Sequence, residues 1–153
     1  MTKVLMVCLG NICRSPLAEG ILRSKINPER VFVDSAGTGA WHSGELPDKR
    51  SIAIARKNGI DLTDQRARLF LVEDFDRFDH IYVMDQSNYK NVCRLAPNEE
   101  AMGKVQLILN ESHPDQNREV PDPYYGGDSG FDHVFKMLDE ACNIIKQKIE
   151  NAL

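Results

Sequence analysis

The 153 residues, 42% hydrophobic and 27% charged, are enough for a single domain over residues 1–153 with a core that needs no staples. A net charge of −4 with both signs interspersed excludes a general binder of nucleic acid or membrane surfaces, so any anion recognition is local. The four cysteines lack disulfide-framework spacing, and the apolar run near the amino terminus is too short for a signal-peptide core or a membrane span, which points to a reducing cytoplasm.

Apolar, β-branched runs alternate with helical patterns, the signature of a parallel sheet built from βαβ units. Residues 3–8 read as the first strand and 16–26 as a helix carrying Ala18, Leu22 and Ile26 on one face. Ser15 is expected at the N-cap of that helix, with Pro16 at its first position. Strands follow at 31–35, 79–84 and 105–109, and helices at 47–58 and 86–95, with Gly59 ending the first of these helices and a short turn near 72–75. The stretch 110–130 is aperiodic and rich in Pro, Asp, Asn and Gly, as functional loops are. The last helix, 131–149, lines up Phe131, Val134, Phe135, Leu138, Ala141, Cys142, Ile145 and Ile149.

Between the first strand and its helix lies Cys8-Leu9-Gly10-Asn11-Ile12-Cys13-Arg14-Ser15. Amides of such a loop converge at a helix N-terminus and favour a phosphate-like anion. Gly10 and Asn11 both tolerate the positive φ that a tight cradle requires. Cys8 supplies a nucleophile and Arg14 a bidentate clamp for the same anion. An ordinary thiol is only about 3% ionised at pH 7, so the loop amides, Ser15 and Arg14 must favour the thiolate. In an open parallel sheet, ligands sit at the carboxyl ends of the strands. The loops at 9–15, 37–44 and 110–130 should meet there.

The string C-x-G-N-x-C-R-S at residue 8, together with Asp122-Pro123-Tyr124-Tyr125 near the carboxyl end, resembles the low-molecular-weight protein tyrosine phosphatases. The resemblance extends over nearly the whole chain, including Asp34-Ser35-Ala36-Gly37-Thr38 and Met84-Asp85-Gln86-Ser87-Asn88. It implies a flavodoxin-like three-layer α/β/α fold with a four-stranded parallel sheet. It also implies that Cys8 is the nucleophile, Arg14 the phosphate ligand and Asp122 the general acid, with phosphate held by the loop from Leu9 to Ser15. Asn11, Ser15 and Ser35 would support that loop, and Cys13 would pair reversibly with an oxidised Cys8. Many members carry histidine where this chain has Gln65, which can hydrogen-bond but brings no charge.

Asp122 lies between two prolines, which restrict its backbone and hold its side chain. A carboxylic acid there can protonate a phenolate leaving group and afterwards activate water. Trp41, Tyr124 and Tyr125 are placed to flank an aryl phosphate, although Trp41 also fits a residue covering the core. Ile12 stands where family members that act on phosphoarginine tend to carry Thr, so its bulk favours phosphotyrosine. No cofactor is called for: Gly37-Thr38-Gly39 lacks the third glycine of a dinucleotide fingerprint, Cys8 and Cys13 lack two further zinc ligands, and the four histidines show no metal spacing. Phosphotyrosine-containing proteins, with an opposing tyrosine kinase, are the expected partners. A thioredoxin-coupled arsenate reductase and a phosphate carrier without turnover are the competing readings. The first needs a further pair of nearby redox cysteines, and the second has no use for Asp122.

Overall fold

The computed structural model describes residues 1–125 and 128–152, without the side chains of Tyr125, Asp128 and Ser129. Four parallel strands, β1 (Thr2–Cys8), β2 (Val31–Gly37), β3 (His80–Val83) and β4 (Val105–Leu107), form one sheet in the order β2-β1-β3-β4. Seven helices accompany them among the described residues: α1 (Arg14–Arg23), α2 (Lys49–Lys57), α3 (Asp74–Arg77), α4 (Gln86–Arg94), α5 (Glu99–Met102), α6 (Leu109–Ser112) and α7 (Asp128–Ala152).

Strand alternation divides the core. Val4, Met6 and Cys8 of β1 face α1 and α7, where they meet Leu17, Ile21, Val134, Leu138 and Ile145. Leu5 and Val7 face the other way, toward Phe75, Phe78 and Val92. Both sheet faces are covered, giving the flavodoxin-like three-layer α/β/α fold. Every residue of the stripe expected on the last helix is buried.

The order β2-β1-β3 places a topological switch point at β1, where the chain leaves toward β2 and returns across to β3. The loops after β1 and β3 therefore open onto one crevice. Two aspartates cap the helices that follow β2 and β3. Asp48 caps α2 by accepting Arg50 N at 2.8 Å, and Asp85 caps α4 by accepting Asn88 N at 2.8 Å.

The structure corrects several boundaries. Ser15 is not the cap of α1: Cys13 occupies that position with no side-chain cap bond, and Ser15 already lies inside the helix. Its hydroxyl is drawn instead to Asn11 and Cys8. Pro16 still falls in the first turn, where its missing N–H leaves no acceptor unpaired. The run at 105–109 is strand only to Leu107, because Leu109 begins the short α6. The aperiodic stretch 110–130 holds the rest of α6, a 3-10 turn at Pro123–Tyr125 and the first turn of α7.

Candidate active site

The loop after β1 turns its carbonyls outward. Thr38 N donates to Cys8 O at 3.0 Å, Gly39 N to Leu9 O at 2.9 Å and Asp48 N to Ile12 O at 2.7 Å. Cys13 O receives Leu17 N and the Ser51 hydroxyl. Among the described residues, the amides of Gly10, Asn11, Ile12, Cys13 and Arg14 donate to no protein acceptor. Outward carbonyls and unpaired inward amides at a helix start are the makings of an anion cradle.

Asn11 makes the turn possible, with φ of 56°. Gly10 does not adopt a positive φ, contrary to the expectation from sequence. A β-carbon there would sit 3.1 Å from the His42 ring, so Gly10 permits close approach instead. The Asn11 amide organises the loop: Oδ1 accepts Arg68 N at 3.0 Å, and Nδ2 donates to Ser15 Oγ at 2.8 Å and Ser35 Oγ at 2.9 Å. Ser15 Oγ lies 3.0 Å from Cys8 Sγ.

Arg14 is almost wholly buried, and its Nη1 donates to Asp85 Oδ2 at 2.7 Å and Val120 O at 3.0 Å. Burial opposes its charge, but Cys8, Asp85 and Asp122 outweigh that and hold the guanidinium above its ordinary range. Val120 N in turn donates to Met84 O at 2.8 Å, which ties the segment before Asp122 to the end of β3. Asp122 Oδ1 accepts Tyr124 N at 3.0 Å, and Oδ2 stands 3.7 Å from Arg14 Nη2.

A cleft of about 300 Å³ joins these groups. Cys8, Leu9, Gly10, Ile12, Cys13 and Arg14 line its floor, and Trp41, His42, Asp122 and Tyr124 its walls. Asn11, Ser15 and Ser35 stand behind the floor rather than in it. Tyr125 is in the 3-10 turn, and its side chain lies outside the described residues. Gln65 does not reach the loop's hydrogen bonds; its amide donates to Pro16 O at 3.1 Å and steadies the first turn of α1.

Several participants carried no signal in the sequence reading. Asp85 holds Arg14 while capping α4, and His42 walls the cleft beside Trp41. Arg50 lies 5.6 Å from the Tyr124 ring centroid and donates to Tyr124 O at 3.0 Å. Glu19 accepts the Ser35 hydroxyl at 2.6 Å. Only Asp85 stood within a quoted motif. All four described cysteines are free thiols, and no group of three or more His, Cys, Asp or Glu among the described residues is arranged to hold a metal ion.

A cysteine and an arginine within an amide-lined anion loop, after the first strand of a three-layer parallel α/β fold, are features of a class of phosphatases. Within that class, the chain belongs to the low molecular weight phosphotyrosine protein phosphatase family, whose model matches residues 3–152. A putative low molecular weight protein-tyrosine-phosphatase from Synechocystis is 44% identical over 144 residues, covering 92% of this chain and 91% of its own. A low molecular weight phosphotyrosine protein phosphatase from Schizosaccharomyces pombe is 44% identical, covering 95% and 98%. The crystal structure of a protein tyrosine phosphatase from Entamoeba histolytica matches with a TM-score of 0.92 at 35% identity, covering 99% of both chains. The protein is thus a phosphatase, and no helix among its described residues is long and apolar enough to cross a membrane.

Proposed function

We propose that residues 1–153 form one protein-tyrosine phosphatase domain that works through a cysteinyl-phosphate. The observation that carries this reading is the loop itself, with outward carbonyls and unpaired amides surrounding a buried cysteine and arginine. The Cys8 thiolate attacks phosphorus while the bond to the tyrosyl oxygen breaks. Asp122 gives its proton to that oxygen, and tyrosine leaves. The loop amides from Leu9 to Arg14 and the Arg14 guanidinium take up the charge on the transferring phosphoryl oxygens. Asp122, now a carboxylate, accepts a proton from water as the water attacks phosphorus. The S–P bond breaks, releasing inorganic phosphate and restoring the thiolate.

Trp41 and Tyr124, with Tyr125 beside it in sequence, are assigned to grip the phenyl ring. The bulk of Ile12 in the cleft floor favours phosphotyrosine over phosphoarginine. Phosphotyrosine proteins of the cytoplasm, a tyrosine kinase among them, are the assigned substrates. The reductase reading loses support because Cys93 lies on α4 while Cys142 is wholly buried on α7.

Cys13 is assigned as a redox partner of Cys8. Peroxide converts the Cys8 thiolate to a sulfenic acid, and the Cys13 thiol then condenses with it, forming a disulfide and releasing water. Burial first, then the charges of Asp48, Cys8 and Asp122, push the Cys13 thiol up to about 12, so it rests as a neutral thiol. Purified protein should dephosphorylate a phosphotyrosine peptide in the presence of a chelator, and faster than a phosphoarginine peptide. Retained turnover in both Cys8→Ser and Arg14→Ala would sink the mechanism. Peroxide should yield a Cys8–Cys13 cross-linked peptide in the wild type and over-oxidised Cys8 in Cys13→Ser.

A further inference from the structure

The hydrogen-bond chain behind Cys8 continues past Asn11 to a residue one turn further along the same face of α1. Ser35 Oγ accepts Asn11 Nδ2 and donates to Glu19 Oε1 at 2.6 Å. Glu19 lies one helical turn after Ser15 and is only 5% exposed. Its other oxygen accepts Arg23 Nη1 at 3.1 Å, and Arg23 also reaches Asp64 at 3.1 Å. Asp34 of β2 adds a like charge beside it and is itself paired with Arg68.

With Glu19 ionised, as it becomes at and above about pH 7, the donor sense of each link is fixed by chemistry. An ionised carboxylate only accepts and an amide nitrogen only donates. Ser35 therefore gives its proton to Glu19 and accepts from Asn11. Arg68 N on Asn11 Oδ1 prevents the amide from turning over, so Nδ2 faces both serines. Ser15 accepts from Asn11, which leaves its own proton for the Cys8 sulfur. We propose that Glu19 is a positioning residue for the nucleophile, acting through Ser35 and Asn11 to aim the Ser15 hydroxyl at Cys8 Sγ.

This inference rests on Cys8 being the nucleophile. A carboxylate is a costly choice for a merely structural position here. Burial pushes Glu19 up to about 7; Ser35 and Arg23 pull it down, and Asp34 pushes it further up. A neutral side chain of similar size would fill the same space without that cost.

The test is a mutant cycle of Glu19→Leu, Ser35→Ala and the double variant, with Glu19→Gln as the conservative change. Three readouts are followed: kcat and KM on a phosphotyrosine peptide, the pH profile of iodoacetamide alkylation at the Cys8 peptide, and the thermal midpoint. Glu19→Leu should lower kcat about tenfold, the size of one hydrogen bond's net contribution, with KM within about twofold. Its alkylation midpoint should move to higher pH while its thermal midpoint stays equal or rises. Glu19→Gln keeps an acceptor for Ser35 and should stay within about threefold of the wild type in kcat. In the Ser35→Ala background, Glu19→Leu should cost nothing more. Should the leucine variant fail to fold, Glu19→Ala makes the same cut in the same cycle. Unchanged kcat and alkylation profile in Glu19→Leu, or full additivity with Ser35→Ala, overturns the inference. Cys8→Ser run in parallel separates the two failures, because turnover in that variant removes the nucleophile assignment whatever Glu19 does.

Discussion

The floor and the rim of the cleft are built on opposite terms. Cys8 and Arg14 on the floor, and Asn11 and Ser15 directly behind it, are each at most 3% exposed and joined by hydrogen bonds to one another or to neighbouring side chains. On the rim, Trp41 is 72% exposed, Tyr124 40% and the Asp122 side chain 34%. In the proposed mechanism the floor faces charge that develops during reaction, where preorganised dipoles are most effective because nothing need reorganise. The rim meets the variable part of a substrate, where contact area matters more than fixed geometry. Floor substitutions should therefore act on kcat, and rim substitutions on KM.

The strongest attempt to break that division is Arg14→Lys, which keeps the charge and removes the planar fork. Nη1 of Arg14 serves Asp85 and Val120 O together, holding the rest of the guanidinium over the loop. A lysine ammonium cannot occupy both positions and still meet two phosphoryl oxygens. We expect kcat to fall by about a thousandfold or more with a much smaller change in KM, read by steady-state kinetics on a phosphotyrosine peptide. A loss below tenfold would mean that charge alone suffices and that the fork geometry is idle.

Asp122 stands between the two regions, with one oxygen tied to Tyr124 N and the other facing Arg14. Asp122→Asn removes the proton and preserves the shape. Turnover of phosphotyrosine should drop by about 10²–10³-fold. The deficit should shrink for a nitrophenyl phosphate, whose leaving group needs little protonation. A deficit equal for both substrates would make Asp122 a positioner of the rim rather than an acid.

Stability against pH probes the layer behind the floor. Glu19 ordinarily titrates near 4.5 and in the fold near 7. The folded protein therefore holds this proton more tightly than the unfolded chain. The resulting stabilisation is fully present below 4.5 and lost as pH rises through about 7, amounting to about 3 kcal/mol for this group. Denaturant unfolding of wild type against Glu19→Gln at pH 5 and pH 8 isolates it, because the glutamine variant should lose this part of the pH dependence.

These comparisons also show what a sequence can disclose. That Cys8, Arg14 and Asp122 share one cleft was legible because each sits in a short string at the end of a strand or in the loop expected to meet there. The sheet was legible because β1 alternates between two buried faces. Partners contributed by distant segments were not legible. Asp85 reaches Arg14 across 71 residues, Glu19 reaches Ser35 across 16, and Arg50 reaches Tyr124 across 74. No local pattern marks such pairs. The cap expected at Ser15 failed for a related reason: its hydroxyl has stronger partners, Asn11 and Cys8, than the helix amides a cap would serve.

The mildest change tests the rim alone. The Trp41 indole lies over Gly39, leaving no room for a β-carbon there, so glycine lets the ring fold back against the loop while most of it stays in solvent. Removing so exposed a side chain should cost little stability and leave the hydrogen bonds of the floor intact. What it removes is one wall against a substrate ring, and an aromatic pair adds about 1 kcal/mol beyond area burial. Trp41→Ala should therefore raise KM for a phosphotyrosine peptide about fivefold and leave kcat within about twofold. Trp41→Phe should recover most of that loss. An alkyl phosphate, which offers no ring, should be turned over equally by all three proteins. A fall in kcat on both substrates would place Trp41 with the floor, because only a disturbed loop can slow the chemistry on a substrate that the indole does not stack against.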